Sequence, residues 1–87
     1  MRYAYVILNE QQGIYIGRTN NLSTRLESHN EGRNRSTRGH QWELVYYEAY
    51  KSSEDARERE KQLKHSGQAK RWLMQRIARS LTIGRES

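Results

Sequence analysis

Two apolar runs open the chain, Tyr3-Ala4-Tyr5-Val6-Ile7-Leu8 and Gly13-Ile14-Tyr15-Ile16-Gly17, with the polar stretch Asn9-Glu10-Gln11-Gln12 between them. Runs rich in β-branched residues and tyrosine, joined by a turn-like gap, predict a β-hairpin. The first run is apolar on both faces, with Tyr3, Tyr5 and Ile7 on one side and Ala4, Val6 and Leu8 on the other. Such a strand is expected inside a sheet, covered on both sides. A hairpin symmetric about Glu10 makes Tyr5 and Tyr15 cross-strand neighbours on one face. A slip of one residue puts them on opposite faces, and the sequence leaves the register open.

Further along, Asn20 or Asn21 is a natural N-cap for a helix running to about His29. Leu22 and Leu26 form its buried stripe at i and i+4, and Arg25 and His29 project together from the edge of that stripe. Asn30 and Gly32 suit a left-handed helix end. Residues 32–41 hold no apolar side chain and predict a long, flexible, cationic loop. Trp42 to Tyr50 is dense in β-formers and predicts a third strand. Strict alternation turns Leu44, Tyr46, Glu48 and Tyr50 one way and Val45, Tyr47 and Ala49 the other.

Ser52 followed by Asp55 is a capping-box pattern that starts a second helix from about Ser53 to His65, stopped by Ser66-Gly67. A third helix is expected from near Gln68, with Trp72, Leu73 and Ile77 as its apolar side. The predicted architecture is α+β, a small three-stranded, mainly antiparallel sheet flanked by about three helices. Residues 1–80 form one expected domain, and residues 81–87 a frayed tail.

Composition narrows the class. An apolar fraction of 33% over 87 residues allows only a small core, and the absence of cysteine excludes disulfides and cysteine-based zinc sites. No run approaches the roughly 18 apolar residues of a membrane span, and Met1-Arg2-Tyr3 leads into the hairpin rather than a signal peptide, so a soluble cytoplasmic protein is expected. The net charge of +6 is unevenly spread. Gly32 to His40 carries Arg33, Arg35 and Arg38 with no acid, and Gln68 to Arg85 carries Lys70, Arg71, Arg76, Arg79 and Arg85 with none. Concentrated positive potential recruits a polyanion, here nucleic acid, although a solvated basic surface accounts for the same counts.

Several residues stand out chemically. Glu60 lies between Ala56 and Leu63, on the face of the second helix that should be buried. A carboxylate there must be paired or bind a cation; pairing with Arg57 or Lys64 along the helix is the structural alternative. Arg25 can hold a developing phosphorane charge bidentately, or can simply cap a carboxylate such as Glu48. Tyr5 and Tyr15 are either core tyrosines or phenols activated by a neighbouring cation. His29 is a proton carrier or an ordinary surface histidine, and His40 and His65 fit no metal-binding spacing and are expected in solvent.

Tyr5, then Tyr15-Ile16-Gly17 ten residues on, then Thr19-Asn20-Asn21-Leu22, Arg25-Leu26 and His29-Asn30 with Gly32, and finally Glu60, together resemble the GIY-YIG nuclease family, in particular its small stand-alone bacterial members. The resemblance spans about residues 3 to 73. Tyr3-Ala4-Tyr5 stands at the first motif with its glycine and isoleucine replaced, and the literal Gly13-Ile14-Tyr15 merely overlaps the second. The resemblance implies that Glu60 is the sole protein ligand of Mg²⁺ (with Mn²⁺ as substitute), that Arg25 is essential, and that Tyr5 or Tyr15, helped by His29, activates water. Arg18 falls on the family's Lys- or Arg-tolerant position. The asparagine that many members carry in the C-terminal helix is missing, Gln75 being the only amide from Lys70 to Arg79.

The expected function is therefore a metal-dependent endonuclease hydrolysing phosphodiester bonds in DNA, with RNA a further candidate substrate. Arg18, Arg33, Arg35, Arg38, Lys64, Lys70 and Arg71 are expected on the nucleic-acid backbone, which they would hold without reading bases. Two alternatives stand beside it, a non-catalytic nucleic-acid-binding module and a nuclease module that needs a protein partner for targeting.

Overall fold

The computed structural model describes residues 1–82. Its elements follow in the order β1 (Arg2–Asn9), β2 (Ile14–Thr19), α1 (Leu22–Asn30), β3 (Trp42–Tyr50), α2 (Ser53–His65) and α3 (Gly67–Arg76). The three strands form one antiparallel sheet in the order β2-β1-β3, so the doubly apolar first run occupies the centre as its pattern predicts. The arrangement is α+β.

The two faces of β1 seed two separate apolar clusters. Tyr5 and Ile7 pack with Trp42, Leu44, Tyr15 and the α1 leucines Leu22 and Leu26. On the other face Val6 and Ile16 pack with Leu63 of α2 and Ala69, Leu73 and Ile77 of the α3 region. The sheet is therefore the middle layer, with α1 on one side and α2 with α3 on the other. Among the described residues no helix is long and apolar enough to cross a membrane.

The hairpin register differs from symmetry about Glu10. Tyr5 pairs with Gly17 and Ile7 with Tyr15, so the ladder is centred one residue later. Asn9 is the cause. Its buried side chain accepts from the backbone N–H groups of Gln11 at 2.9 Å and Gly13 at 2.8 Å, which folds residues 10–13 into the turn and lengthens β1 to Asn9. The shift of two in the pairing preserves the shared face, and Tyr5 and Tyr15 sit diagonally on it rather than directly opposite.

In β3 the strict alternation fails. Val6 pairs with Tyr46 and Ile7 with Leu44, which leaves Val45 as the extra residue of a β-bulge. Leu44 consequently joins the α1 side, while Val45 and Tyr46 pack on the α2–α3 side. Side chain count along a strand is not enough once a bulge resets the parity.

The helix boundaries follow their caps. Asn21 accepts from Thr24 N–H at 3.1 Å to start α1, and Ser52 accepts from Glu54 and Asp55 N–H groups at 3.2 and 3.3 Å to start α2. Gly32, at φ +77°, ends α1 in a Schellman motif, with Gly32 N–H donating to His29 C=O and Arg33 N–H to Ser28 C=O. Asn30 does other work, because its side-chain amide exchanges two hydrogen bonds with the backbone of Trp42 at 2.6 and 3.0 Å. Ser66 closes α2 and caps α3, accepting from Ala69 N–H at 3.2 Å.

Two further expectations are corrected. Leu73 and Ile77 are buried as expected, but Trp72 is 62% exposed, and Ala69 takes its place on the inner side of the α3 region. The loop of residues 32–41 is anchored: Thr37 is fully buried, and its carbonyl accepts from the Trp42 indole N–H at 2.8 Å. Of the expected tail, Leu81 packs against the core cluster, and residues 83–87 lie outside the described residues.

Candidate active site

Tyr5 is at the centre of the site. Its ring lies over Gly17, where an added Cβ would collide with the phenol carbon and oxygen and press on the ring of Tyr15. Glycine is required there by close approach, since φ at Gly17 lies in no special region. The Tyr5 phenol thereby crosses the β2 backbone and meets α1. Arg25 Nε–H donates to the Tyr5 oxygen at 3.3 Å, and His29 Nε2 lies 2.8 Å from it. One helical turn separates Arg25 from His29, so a single helix face delivers both to one oxygen.

His29 is itself fully buried. Its Nδ1 lies 2.7 Å from the Thr37 hydroxyl, which in turn donates to Asn34 C=O at 3.4 Å. The donor count is consistent when Tyr5 O–H donates to a neutral Nε2, Nδ1–H donates to Thr37, and Thr37 donates to Asn34. Burial, reinforced by the Arg25 charge, holds the His29 imidazole below its usual pKa of 6.5. Burial pushes the Tyr5 phenol up from 10.0, against the opposing hydrogen bond from Arg25. In the free protein both groups are neutral at pH 7, and Tyr5, His29, Thr37 and the Asn34 carbonyl form one continuous hydrogen-bond chain. Tyr15 closes the group, with its ring centroid 4.9 Å from that of His29.

Glu60 arrives from α2 at the β2 edge of the sheet. Its side chain is 19% exposed; one oxygen lies 3.8 Å from Arg18 Nε and the other 3.2 Å from Lys64 Nζ. Lys64 also sits 5.6 Å from the Tyr15 ring centroid, within cation–π range. The pairing alternative for Glu60 is thus realised with Lys64 and with Arg18 of β2, and Arg57 takes no part. No group of three or more His, Asp, Glu or Cys side chains gathers as a metal cage among the described residues.

Glu48 makes no hydrogen bond or ion pair with Arg25. It is held by Arg59 Nε at 2.9 Å, by the Tyr46 hydroxyl at 2.6 Å and by the Tyr50 hydroxyl, all on the α2–α3 side of the sheet. Burial opposes its charge, but these donors outweigh burial and hold the carboxyl below 4.5. Burial and the same hydrogen bonds push Tyr46 and Tyr50 up to about 12. This cluster accounts for the semi-buried charge that Arg25 might otherwise have served.

The structure brings together Tyr5, Tyr15, Arg25, His29, Glu60, Arg18 and Lys64. Arg33 lines the cleft that includes Arg25 and is paired to Glu31 at 3.1 Å. Arg35 and Arg38 are exposed on the anchored loop. Lys70 and Arg71 are exposed on α3, with no hydrogen bond or ion pair to the cluster among the described residues. His40 is not merely solvated, because its Nδ1 lies 2.5 Å from Glu10 Oε2. Thr37 carried no signal in the sequence, being one hydroxyl in a polar loop that becomes buried only when Trp42 and His29 close over it.

A central tyrosine is thus touched by arginine and histidine from one helix, with a carboxylate at the neighbouring strand edge, on a three-stranded antiparallel α+β framework. The chain matches the GIY-YIG catalytic domain over residues 1–73, and it belongs to that family. It is also 36% identical over 66 residues to a UPF0213 protein of Clostridium perfringens, a match covering 74% of this chain and 71% of that protein. No solved structure matches the chain. The family is of nuclease type, and nucleic acid is its substrate class.

Proposed function

We propose that this protein is a divalent-metal-dependent endonuclease that hydrolyses phosphodiester bonds in DNA with little intrinsic sequence preference. The observation that carries this reading is the Tyr5 oxygen, which has Arg25 Nε at 3.3 Å and His29 Nε2 at 2.8 Å. A core tyrosine needs one partner for its hydroxyl, whereas this one has a guanidinium and a buried imidazole on a polar path.

Arg25 uses its Nε–H on Tyr5, so its terminal nitrogens are the ones that meet a phosphate, where a planar cation counters charge growing on the phosphoryl oxygens. Tyr5 takes a proton from the attacking water as it releases its own to His29 Nε2, and the Nδ1–H···Thr37 bond orients the imidazolium that results. Tyr15 packs on His29 and fixes the ring plane.

Glu60 suits Mg²⁺, or Mn²⁺ in its place. It is the carboxylate of the site, and among the described residues its two oxygens are engaged only by long side chains that are over a third exposed and weakly held. Mg²⁺ commonly binds through one carboxylate, water and substrate phosphate, without a protein cage. When bound, the ion supplies Lewis-acid polarisation of the phosphoryl group and charge neutralisation at the leaving oxygen.

The test is nicking of supercoiled plasmid in Mg²⁺ by the parent, by Glu60→Gln and by Tyr5→Phe. Cleavage by the parent alone is the expected result, with Glu60→Gln melting like the parent and Tyr5→Phe, which leaves the buried His29 Nε2 unpaired, melting lower but still folded at the assay temperature. DNA binding without metal-dependent cleavage by the parent makes the protein a binding module, and full cleavage by Glu60→Gln removes Glu60 as the ligand.

A further inference from the structure

Two open clefts flank the tyrosine cluster and share Thr19 at the end of β2. The first follows α1 and includes Thr24, Arg25, Ser28 and Arg33. The second is a cavity of about 450 Å³ lined by Arg2, Arg18, Thr19, Ser53, Glu54 and Arg57. It sets three guanidinium groups against one carboxylate, and the Ser53 hydroxyl adds a neutral donor.

Two of these arginines have no evident structural task. Arg2 begins β1 and Arg57 lies on the first turns of α2; both are exposed, and neither side chain makes a hydrogen bond or ion pair among the described residues. They converge from different elements on one cavity, next to a third arginine that does have a partner. Arg18 lines the cavity and also lies 3.8 Å from Glu60, so the cavity opens one side chain away from the proposed catalytic carboxylate. Two unpaired guanidinium groups, from β1 and α2, set beside the Glu60-paired Arg18 of β2 with Glu54 the one carboxylate in the lining, leave an excess of positive charge that an anion relieves, and a phosphodiester matches the fork geometry of arginine.

We propose that the Arg2–Arg18–Arg57 cavity is a phosphate-binding subsite that holds the nucleic-acid backbone on the opposite side of Thr19 from the α1 cleft. The strand then runs from Arg33 and Arg25, past Tyr5, to Arg18, Arg57 and Arg2, gripped on both sides of the reacting bond. The position of the reacting bond rests on the hydrolytic reading above; the backbone contact itself does not. Since phosphates and not bases are held, affinity at this subsite is independent of sequence and steeply dependent on salt.

The test uses the full chain and a short fluorescein-labelled DNA duplex. Anisotropy isotherms over a salt series are recorded for the parent, for Arg2→Gln/Arg57→Gln and for Arg2→Lys/Arg57→Lys, with thermal melts and single-turnover cleavage by the parent alongside. Loss of two phosphate contacts should reduce the slope of log affinity against log salt by about 1.8, at about 0.9 per contact, with the lysine pair restoring most of it. Melting temperatures should agree across the three proteins. A Gln pair with the parent's slope and affinity overturns the subsite even if the parent cleaves normally. A Gln pair that shows the full slope change beside a parent that binds but never cleaves keeps the subsite and removes the hydrolytic reading. A parent that does not bind the duplex at all, or a Gln pair that loses only the binding of a poly-glutamate peptide, also overturns the proposal, the latter in favour of an acidic protein partner.

Discussion

At Arg25 the structural and chemical roles separate cleanly. Its hydrogen-bond partner is the Tyr5 phenol, not a carboxylate, so removing its fork geometry should cost rate more than stability. Arg25→Lys is expected to melt near the parent temperature and to bind DNA, while single-turnover cleavage falls by about 10²-fold or more, the scale of losing one preorganised charge donor. A large fall in melting temperature with near-normal cleavage in the cold would make Arg25 a structural residue. Gly17 presents the reverse case. The Tyr5 ring occupies the volume of a Cβ there, so Gly17→Ala should force Tyr5 away from Arg25 and His29. It is expected to lose about 1–3 kcal/mol in urea unfolding, by the cost of overpacking, and to lose cleavage disproportionately. An alanine variant of parental stability and rate would show that the ring is free to move.

Among the elements, the loop of residues 32–41 behaves least as its composition suggests. A stretch with no apolar side chain is expected to be mobile, yet Thr37 is buried beneath it and Trp42 and His29 hold it through its carbonyl and hydroxyl. Glu10 pins the far end, accepting from Gln41 N–H at 2.6 Å while bound to His40. The loop therefore presents Arg33 and Arg35 from a fixed base. Arg33→Ala with Arg35→Ala should leave the melt unchanged and lower the salt slope of DNA affinity by up to about 1.8. Because Arg33 is already paired with Glu31, the smaller share should come from it, which the single variants measure. Unchanged affinity and slope would remove this loop from the binding surface.

For the whole molecule, pH acts through groups buried around the sheet. His29 has a folded pKa below 6.5, so between the two values the unfolded chain binds more protons than the folded one. Stability is then complete above about pH 6.5 and declines as pH falls toward the folded value. Glu48, held below 4.5 by Arg59, Tyr46 and Tyr50, adds a second loss at lower pH with the same sign. Thermal melts from pH 8 down to about pH 2 should therefore fall in two stages, the first below about pH 6.5 and the second below about pH 4.5, and His29→Gln should flatten the upper stage while leaving the lower. A single stage that is unaltered in His29→Gln would place the acid sensitivity elsewhere.

Much of this was legible because it depends on neighbours in sequence. The runs of β-formers, the Asn21 and Ser52 caps, the Gly32 stop and the doubly apolar central strand rest on local propensity and periodicity, and the elements follow them closely. The gathering of Arg25 with His29 was equally readable, since one helical turn separates them. What tertiary structure alone decided is where separate elements meet. The hairpin register depended on Asn9 reaching Gly13, and the faces of β3 on a bulge that no alternation pattern reveals. Trp72 looked like a core residue until Ala69 and Leu73 took the inner side of α3. Thr37 became part of the His29 path only through burial, and Glu60 found its partner Arg18 only across the gap from α2 to β2. The physical reason is common to all of these. Propensity and periodicity act over a turn or a strand, whereas a hydrogen bond between distant side chains exists only after packing has fixed both ends.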